Sequence, residues 1–501
     1  MPTINGSLAA TQRAVSPEEE IFDCETLRFH LSLLKSPSLT LDTEEASLAP
    51  IIKSCVLANS QVASQIPQFG LLAGESNALD SLELGQDPKF ADLSDDPRIL
   101  FNVTPPSSTF VCGSQGSGKS HTLSCLLENC LIPSRVGRLP NPLTGLVFHY
   151  DTFISDTSGS PCEAAFLSSH PGVKVKVLCS PTNVHTIRGT YSRFNVQVEA
   201  LQIDQKDLNT KRMMDLMAVG QEGGRVPLYI HTIKRILRDM RILQQESGAG
   251  FDYYGFKRLV AGSGLTPTQL EPLNQRLGLL ESFMPHAQTR KAKKSKKKGG
   301  SSWELMPSCL TIVDLSCPCI SPETACSLFN ICLAIFLEQD TNVGRVVALD
   351  EAHKYMNASI ESQMFTDTLL SAIRLQRHLG ARIFICTQEP TISTALLNLC
   401  TVTIVHRFTS PEWLHALNKH LAVDSQTPSR NDATIDESTS LFNRIVRLRV
   451  GEALLFAPSA ILGTTTQENG KVAFDLLGIG FLPVKIRDRL TLDGGKSVLA
   501  V

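Results

Sequence analysis

The 501-residue sequence has no excess of either charge: 47 Lys and Arg face 49 Asp and Glu, for a formal net charge of −2. A chain-wide basic field that would announce a nucleic-acid partner is therefore excluded, and any such binding must come from a local surface or channel. Zinc-type cysteine spacing is also missing. The fourteen cysteines are scattered, and Cys317 and Cys319 form C-P-C rather than C-x-x-C, so they read as reduced, mostly buried thiols. Residues 1–20 are polar and acidic, without the positive start and apolar stretch of a secretory signal. The most apolar helical stretch, residues 324–337, falls short of the ~20 residues needed to span a bilayer. These absences lead to the expectation of a soluble, intracellular protein of the cytoplasm or nucleus, with no membrane partner.

What the chain does have is the composition of a core-forming protein, with 42% hydrophobic and 19% charged residues. Its length implies one large domain with insertions, or two domains. Residues 1–100 read as an N-terminal extension, partly disordered, with one or two helices and no repeat. Residues 101–203 read as the first part of a catalytic core, with strands at 110–112, 145–150 and 173–178 and a helix at 121–130. Residues 204–307 turn helical, most clearly at 229–244, and end in a basic, disordered loop at 286–307. The Lys-rich run 290–298 within it suits a solvated loop, a nuclear address or a nucleic-acid contact.

Strand and helix alternate again over residues 308–465, with strands at 310–314, 345–349, 382–386 and 401–406 and helices at 322–337 and 361–379. This rhythm predicts an α/β fold with a mostly parallel central sheet covered on both faces. Residues 466–501 remain as a C-terminal arm, serving either as a subunit contact or as a peripheral strand closing the domain.

The chemistry concentrates in one loop. Gly113, Ser114, Gln115, Gly116, Ser117, Gly118, Lys119 and Ser120 fit G-x-x-x-x-G-K-S/T at every fixed position, between an apolar strand and a helix. The glycines permit the curl that turns backbone amides onto phosphate oxygens, and the helix start adds its positive dipole end. In such a loop Lys119 contacts the β- and γ-phosphates, the Ser120 hydroxyl coordinates Mg²⁺, and His121 follows as a further nucleotide-lining residue. The loop alone does not separate ATP from GTP, or hydrolysis from switching.

A second element is the apolar strand that ends in Asp350 and Glu351, which places one carboxylate for Mg²⁺ and another to orient and deprotonate an attacking water. A third is Thr387-Gln388 after the strand 382–386, where a polar side chain can sense the γ-phosphate. The neighbouring His353 reads as structural rather than catalytic.

Read together with Ile312-Val-Asp-Leu-Ser316, Asp350-Glu-Ala-His-Lys-Tyr355, Thr387-Gln-Glu-Pro390 and Gly451-Glu-Ala-Leu-Leu-Phe456, the chain resembles the HerA/FtsK superfamily of P-loop ATPases. That resemblance implies a RecA-like core, ATP as nucleotide, assembly into a ring, usually a hexamer, and DNA as the translocated cargo. It also implies that Gln388 is the sensor glutamine and that Arg377 is the arginine finger given to a neighbouring subunit, with Arg374 and Arg407 as fallbacks. The small β-barrel that HerA-type proteins carry ahead of the core is not legible in the first hundred residues. Neither are the membrane spans and DNA-reading winged helix of FtsK-type motors. A nucleotide-dependent switch or scaffold, and a motor acting on protein, remain open at this point, and no protein partner is indicated.

Overall fold

The structure, a computed structural model, describes residues 46–80, 96–155, 159–216, 228–289, 300–339, 342–421, 437–466 and 472–494. The described residues hold sixteen strands: β1 Ile51–Lys53, β2 Phe69–Glu75, β3 Arg98–Asn102, β4 Ser108–Cys112, β5 Gly137–Arg138, β6 Thr144–His149, β7 Lys174–Cys179, β8 Val196–Ala200, β9 Cys309–Asp314, β10 Arg345–Leu349, β11 Ala381–Thr387, β12 Val402–Val405, β13 Glu452–Phe456, β14 Ile461–Thr466, β15 Val472–Leu476 and β16 Leu482–Ile486. They form one sheet in the order β15-β14-β1-β3-β2-β16-β13-β12-β4-β11-β10-β6-β9-β7-β8, with β5 paired to β2.

From β12 to β8 every pairing is parallel. Strands β4, β6, β10, β11 and β12 are buried along their whole length, which explains their near-continuous apolar sequence: a strand covered on both faces has no solvent side to alternate with. Successive residues still face opposite layers. Leu146 and Phe148 of β6 enter one core with the helices α5 Pro322–Glu338 and α6 Ile360–Arg374, while Val147 enters the other with α1 Lys119–Leu131. Ser321 starts α5 by accepting from the Thr324 amide, with Pro322 in the first turn where its missing N–H costs nothing.

Helices α2 Leu228–Ser247, α3 Tyr253–Ala261 and α4 Pro267–Ser282 lie in the chain between β8 and β9. Their apolar faces, among them Leu237, Phe256 and Leu277, join the same core as α5 and α6, so the expected helical insertion packs on the sheet. The Lys-rich run lies outside the described residues.

The described residues 46–80 and 96–102 differ from their sequence reading. Alongside the short helices Ser60–Gln65 and Ser76–Asp80 they supply β1, β2 and β3. These strands were illegible because β1 has three residues, and glycines and a bulge between Leu71 and Ala73 interrupt the alternation in β2. Together with β14 and β15 they enclose a small separate core around Ile52, Val56, Val62, Leu100 and Ile461. Of the C-terminal segment, read from sequence as a subunit contact or a peripheral strand, β16 lies inside the sheet between β13 and β2, antiparallel to both.

All cysteines among the described residues are free thiols, and all but Cys55, Cys309 and Cys319 are buried. No helix among the described residues is long and apolar enough to cross a membrane.

Candidate functional site

Strand register aligns one edge of the sheet. Cys112 pairs with Thr387, and Leu349 pairs with both Ile385 and Phe148, so the loops that follow β4, β11 and β10 emerge side by side. β11 sits between the phosphate-loop strand and the Asp350 strand, which places Gln388 between the loop and the acid pair.

Gly113 (φ 151°), Gly116 (φ 71°) and Gly118 (φ 110°) all take backbone conformations that L side chains rarely adopt. A Cβ on Gly113 would stand 2.7 Å from His406 Cβ and 2.8 Å from Ser117 Oγ, whereas a Cβ on Gly116 meets nothing within 4 Å. The loop is therefore packed from beneath and open at its crest. Four hydrogen bonds hold it: the Ser114 amide and hydroxyl donate to the Arg407 carbonyl at 2.8 and 2.9 Å, the Ser117 hydroxyl donates to Ser114 O at 2.7 Å, and Lys119 Nζ donates to Ser114 O at 3.0 Å. Gly118 caps α1, so the first amides of that helix face the loop.

Beneath the loop lies His406, fully buried, with Nδ1 at 2.9 Å from Glu452 O and Nε2 at 2.8 Å from Thr122 Oγ1. Its carbonyl partner requires the proton on Nδ1, and burial pushes its pKa down to about 4. The ring is a neutral spacer that ties β12 and β13 to α1. Sequence reading passed over it, because a single His after a strand carries no signal until the fold brings Thr122 and Glu452 to it.

Asp350 is buried at the end of β10. Its Oδ2 lies 3.1 Å from His149 Nδ1, and its Oδ1 has no hydrogen-bond partner. Burial opposes the charged carboxylate, but the hydrogen bond and charge of His149, helped by Cys162 and Lys354, hold its pKa below the ordinary value. Burial likewise opposes the charged form of His149, yet its acidic surroundings, Cys162, Asp314 and Asp350, carry its pKa well above normal. Because burial also pushes the Cys162 thiol up to about 12, it is the two carboxylates that hold the imidazolium at neutral pH.

Glu351 follows in the left-handed region at φ 47°, a conformation that costs a non-glycine residue on the order of 1–3 kcal/mol and must be held by its surroundings. Its Oε2 accepts from Gln388 Nε2 at 3.2 Å and lies 3.3 Å from His353 Nδ1, while Lys354 pairs with Asp151 at 3.2 Å. The expected pair Glu351 and Gln388 is thus in contact, with His353 as its third member, since the Gln388 amide also lies 3.4 Å from His353 Nδ1. Burial holds the His353 pKa below its ordinary value.

The edge opens into a cavity of about 560 Å³ lined by Gln115, Gly116, Gly118, Lys119, Ser120, His121 and Glu351, together with residues of the C-terminal segment. Its donors fit a polyphosphate: a glycine-lined crest with open space, an adjoining lysine and a helix start. An unpartnered buried carboxylate oxygen at the end of the neighbouring Asp350 strand fits a hard divalent cation or its water shell.

Arg377 is not part of this cluster. It is exposed on the short helix Gln376–Leu379, which leads into the start of β11, at the opposite end of the strands from the loop. Arg374 is exposed at the end of α6. Arg407 sits beside the phosphate loop of its own chain and supplies the carbonyl that anchors Ser114.

The sheet order, the phosphate loop and the acid pair at one strand edge define the α/β architecture of the P-loop ATPases. The fold is shared with VirB4 of Thermoanaerobacter pseudethanolicus, at 12% identity over 83% of this chain and 96% of that one, with a TM-score of 0.50. The bacterial conjugative coupling protein TrwB aligns at 12% identity over 85% of this chain and 96% of its own, with a TM-score of 0.44. The genome packaging NTPase B204 of Sulfolobus turreted icosahedral virus 2 aligns over 34% of this chain and 66% of its own, at 11% identity and a TM-score of 0.21. No family model and no curated protein matches the sequence. The likeness to VirB4 shows the fold.

Proposed function

We propose that the chain hydrolyses ATP at this edge of the sheet in the presence of Mg²⁺ and that, as the HerA/FtsK resemblance implies, it works as a self-associated ring that moves DNA. What supports hydrolysis is the convergence of the phosphate loop, Asp350 with its unpartnered Oδ1, and Glu351 bonded to Gln388. Loop amides from Gly113 to Ser120 cradle the phosphates, and Lys119 leaves the Ser114 carbonyl to neutralise β- and γ-oxygens. Ser120 and Asp350 would hold Mg²⁺, which would supply positive charge against the charge that develops on the phosphates. Glu351 takes the proton of the water that attacks the γ-phosphorus as the bond to the β-bridging oxygen breaks and ADP leaves. Gln388, already bonded to Glu351, orients that water and reports the γ-phosphate.

Arg377 completes a neighbour's site rather than its own, which suits its exposure away from the loop. Glu351→Gln should keep ATP binding and lose roughly 10²- to 10⁴-fold in turnover, the usual range for removing a general base. Arg377→Ala should also be inactive alone, yet equal mixing with Glu351→Gln should restore turnover, because mixed rings contain sites with both residues intact. Stimulation of wild-type turnover by double-stranded DNA, measured in the same samples, supports the motor. If no variant and no DNA changes an already absent turnover while ATP still changes the oligomer, a nucleotide switch replaces this reading.

A further inference from the structure

The segment after β16 does something the motifs do not anticipate. It leaves the sheet, runs along α1 and walls the cavity that holds the phosphate loop. Arg487 makes its first anchor: its carbonyl accepts from His121 Nε2 at 2.8 Å, and its guanidinium donates to Glu128 Oε2 at 2.8 Å, Leu71 O at 2.7 Å and Asn129 Oδ1 at 3.1 Å. Glu128, fully buried on α1, then accepts from the Leu490 amide, the Thr491 amide and the Thr491 hydroxyl at 2.6 Å. Further on, Arg489 pairs with Glu163 at 2.6 Å, and the Leu492 amide donates to Ser169 Oγ.

The outcome is a fixed surface beside the loop to which Lys485, Ile486, Asp488, Asp493 and Gly494 contribute, all lining the cavity shared with Lys119 and Glu351. Glu351 reaches the loop from β10 on one flank of β4, and this segment comes from β16 on the other flank. A triphosphate lying in the loop with its γ end at Glu351 must therefore extend its α-phosphate past His121 into the part of the cavity this segment walls. The groups there suit a sugar and base rather than another phosphate. Asp488 and Asp493 are exposed carboxylates that accept from hydroxyl and amino groups; Asp493 also lies 3.5 Å from Arg489 Nη1 and 3.8 Å from His121 Nδ1, Lys485 is the cation of this wall, and Ile486 adds an apolar contact.

We propose that residues 485–494 form the subsite for the sugar and base of the nucleotide, with Asp488 and Asp493 accepting hydrogen bonds from it; this rests on the phosphate loop being the triphosphate site. The Glu128–Arg487 anchor is the positioning element that presents this wall to α1.

The test compares the affinities of full-length protein for ATP and for inorganic tripolyphosphate, both with Mg²⁺, by titration calorimetry. Wild type should bind ATP more tightly than tripolyphosphate. Asp488→Asn combined with Asp493→Asn should weaken ATP by about tenfold, the loss expected when roughly 1.4 kcal/mol of hydrogen bonding is removed, and leave tripolyphosphate unchanged or tighter. Arg487→Lys, which keeps the charge but loses the forked contacts, should weaken ATP and spare tripolyphosphate in the same way, bringing the two affinities closer together. Equal affinities in wild type, or equal losses for both ligands in the double variant, would overturn the subsite. Wild type binding neither ligand would overturn the phosphate-loop reading itself, which separates the two failures.

Discussion

Single residues decide how the loop is shaped, and two glycines in it should respond differently to the same change. Gly113→Ala combines a disallowed φ with a Cβ 2.7 Å from His406, so it should lose on the order of 2–4 kcal/mol of stability along with nucleotide binding. Gly116→Ala has open space and should cost only about 1–2 kcal/mol from its φ of 71°. Urea unfolding of both variants checks this, and equal losses would mean that the close packing against His406 is not what constrains the loop. His406 itself carries a pH signature. Its folded pKa lies at about 4 against an ordinary 6.5, so the unfolded chain binds the extra proton first. Its contribution is complete above pH 6.5 and is lost as pH falls from 6.5 towards 4, a change on the order of 3 kcal/mol. The drop in stability between pH 7 and pH 5 should be smaller in His406→Gln than in wild type; an identical drop would show that the ring is not buried neutral. At this scale the sequence was legible wherever spacing along the chain carries the chemistry, as in residues 113–120 and the pair Asp350 and Glu351. It was silent on His149 and His406, whose side-chain partners Asp350 and Thr122 lie 201 and 284 positions away.

Among the elements, α1 does two jobs. Its first turn faces the cavity with Lys119, Ser120 and His121, and two turns later Glu128 receives the C-terminal segment. The Arg487–Glu128 pair has side chains only 7% and 0% exposed, so breaking it strands a buried charge. Arg487→Ala should therefore cost about 3–5 kcal/mol in equilibrium unfolding, far more than a surface pair would. Glu128 adds an acid dependence. Burial raises its pKa, but Thr491, the Leu490 amide and Arg487 together hold it below the ordinary value, so this anchor is fully present above the unfolded pKa of about 4.3 and fails as pH falls below it. None of this was readable beforehand, because a Glu in a helix and an Arg after a strand are unremarkable until the chain closes. The buried parallel strands, by contrast, were placed almost to the residue from their apolar runs: residues 345–349 were expected as a strand and are β10, whereas β8, only partly buried at the edge of the sheet, was not expected. A strand buried on both faces leaves a continuous apolar mark in sequence; a strand of only three residues such as β1 leaves none.

For the whole molecule, the question is whether the insertion between β8 and β9 is a separate unit or part of the same cooperative structure. Its helices bury Leu237, Phe256, Leu273 and Leu277 in the core that also contains Phe148, Phe329 and Leu349 from the sheet and its covering helices. Arg276 adds an ion pair to Glu361 on α6 at 3.5 Å, and Arg212 reaches Glu338 at the end of α5. Shared apolar burial of this kind couples unfolding, since exposing one surface exposes its partner. The two tryptophans of the sequence make this measurable. Trp303, buried in the last part of the insertion before β9, reports on that region, while Trp413 packs on Phe408 immediately after β12. Replacing each in turn by Phe leaves a single reporter, and their fluorescence transitions in urea should coincide in midpoint and slope, as they must if both report one cooperative event. A Trp303 transition at clearly lower urea than that of Trp413 would instead make the insertion an independently melting unit beside the sheet.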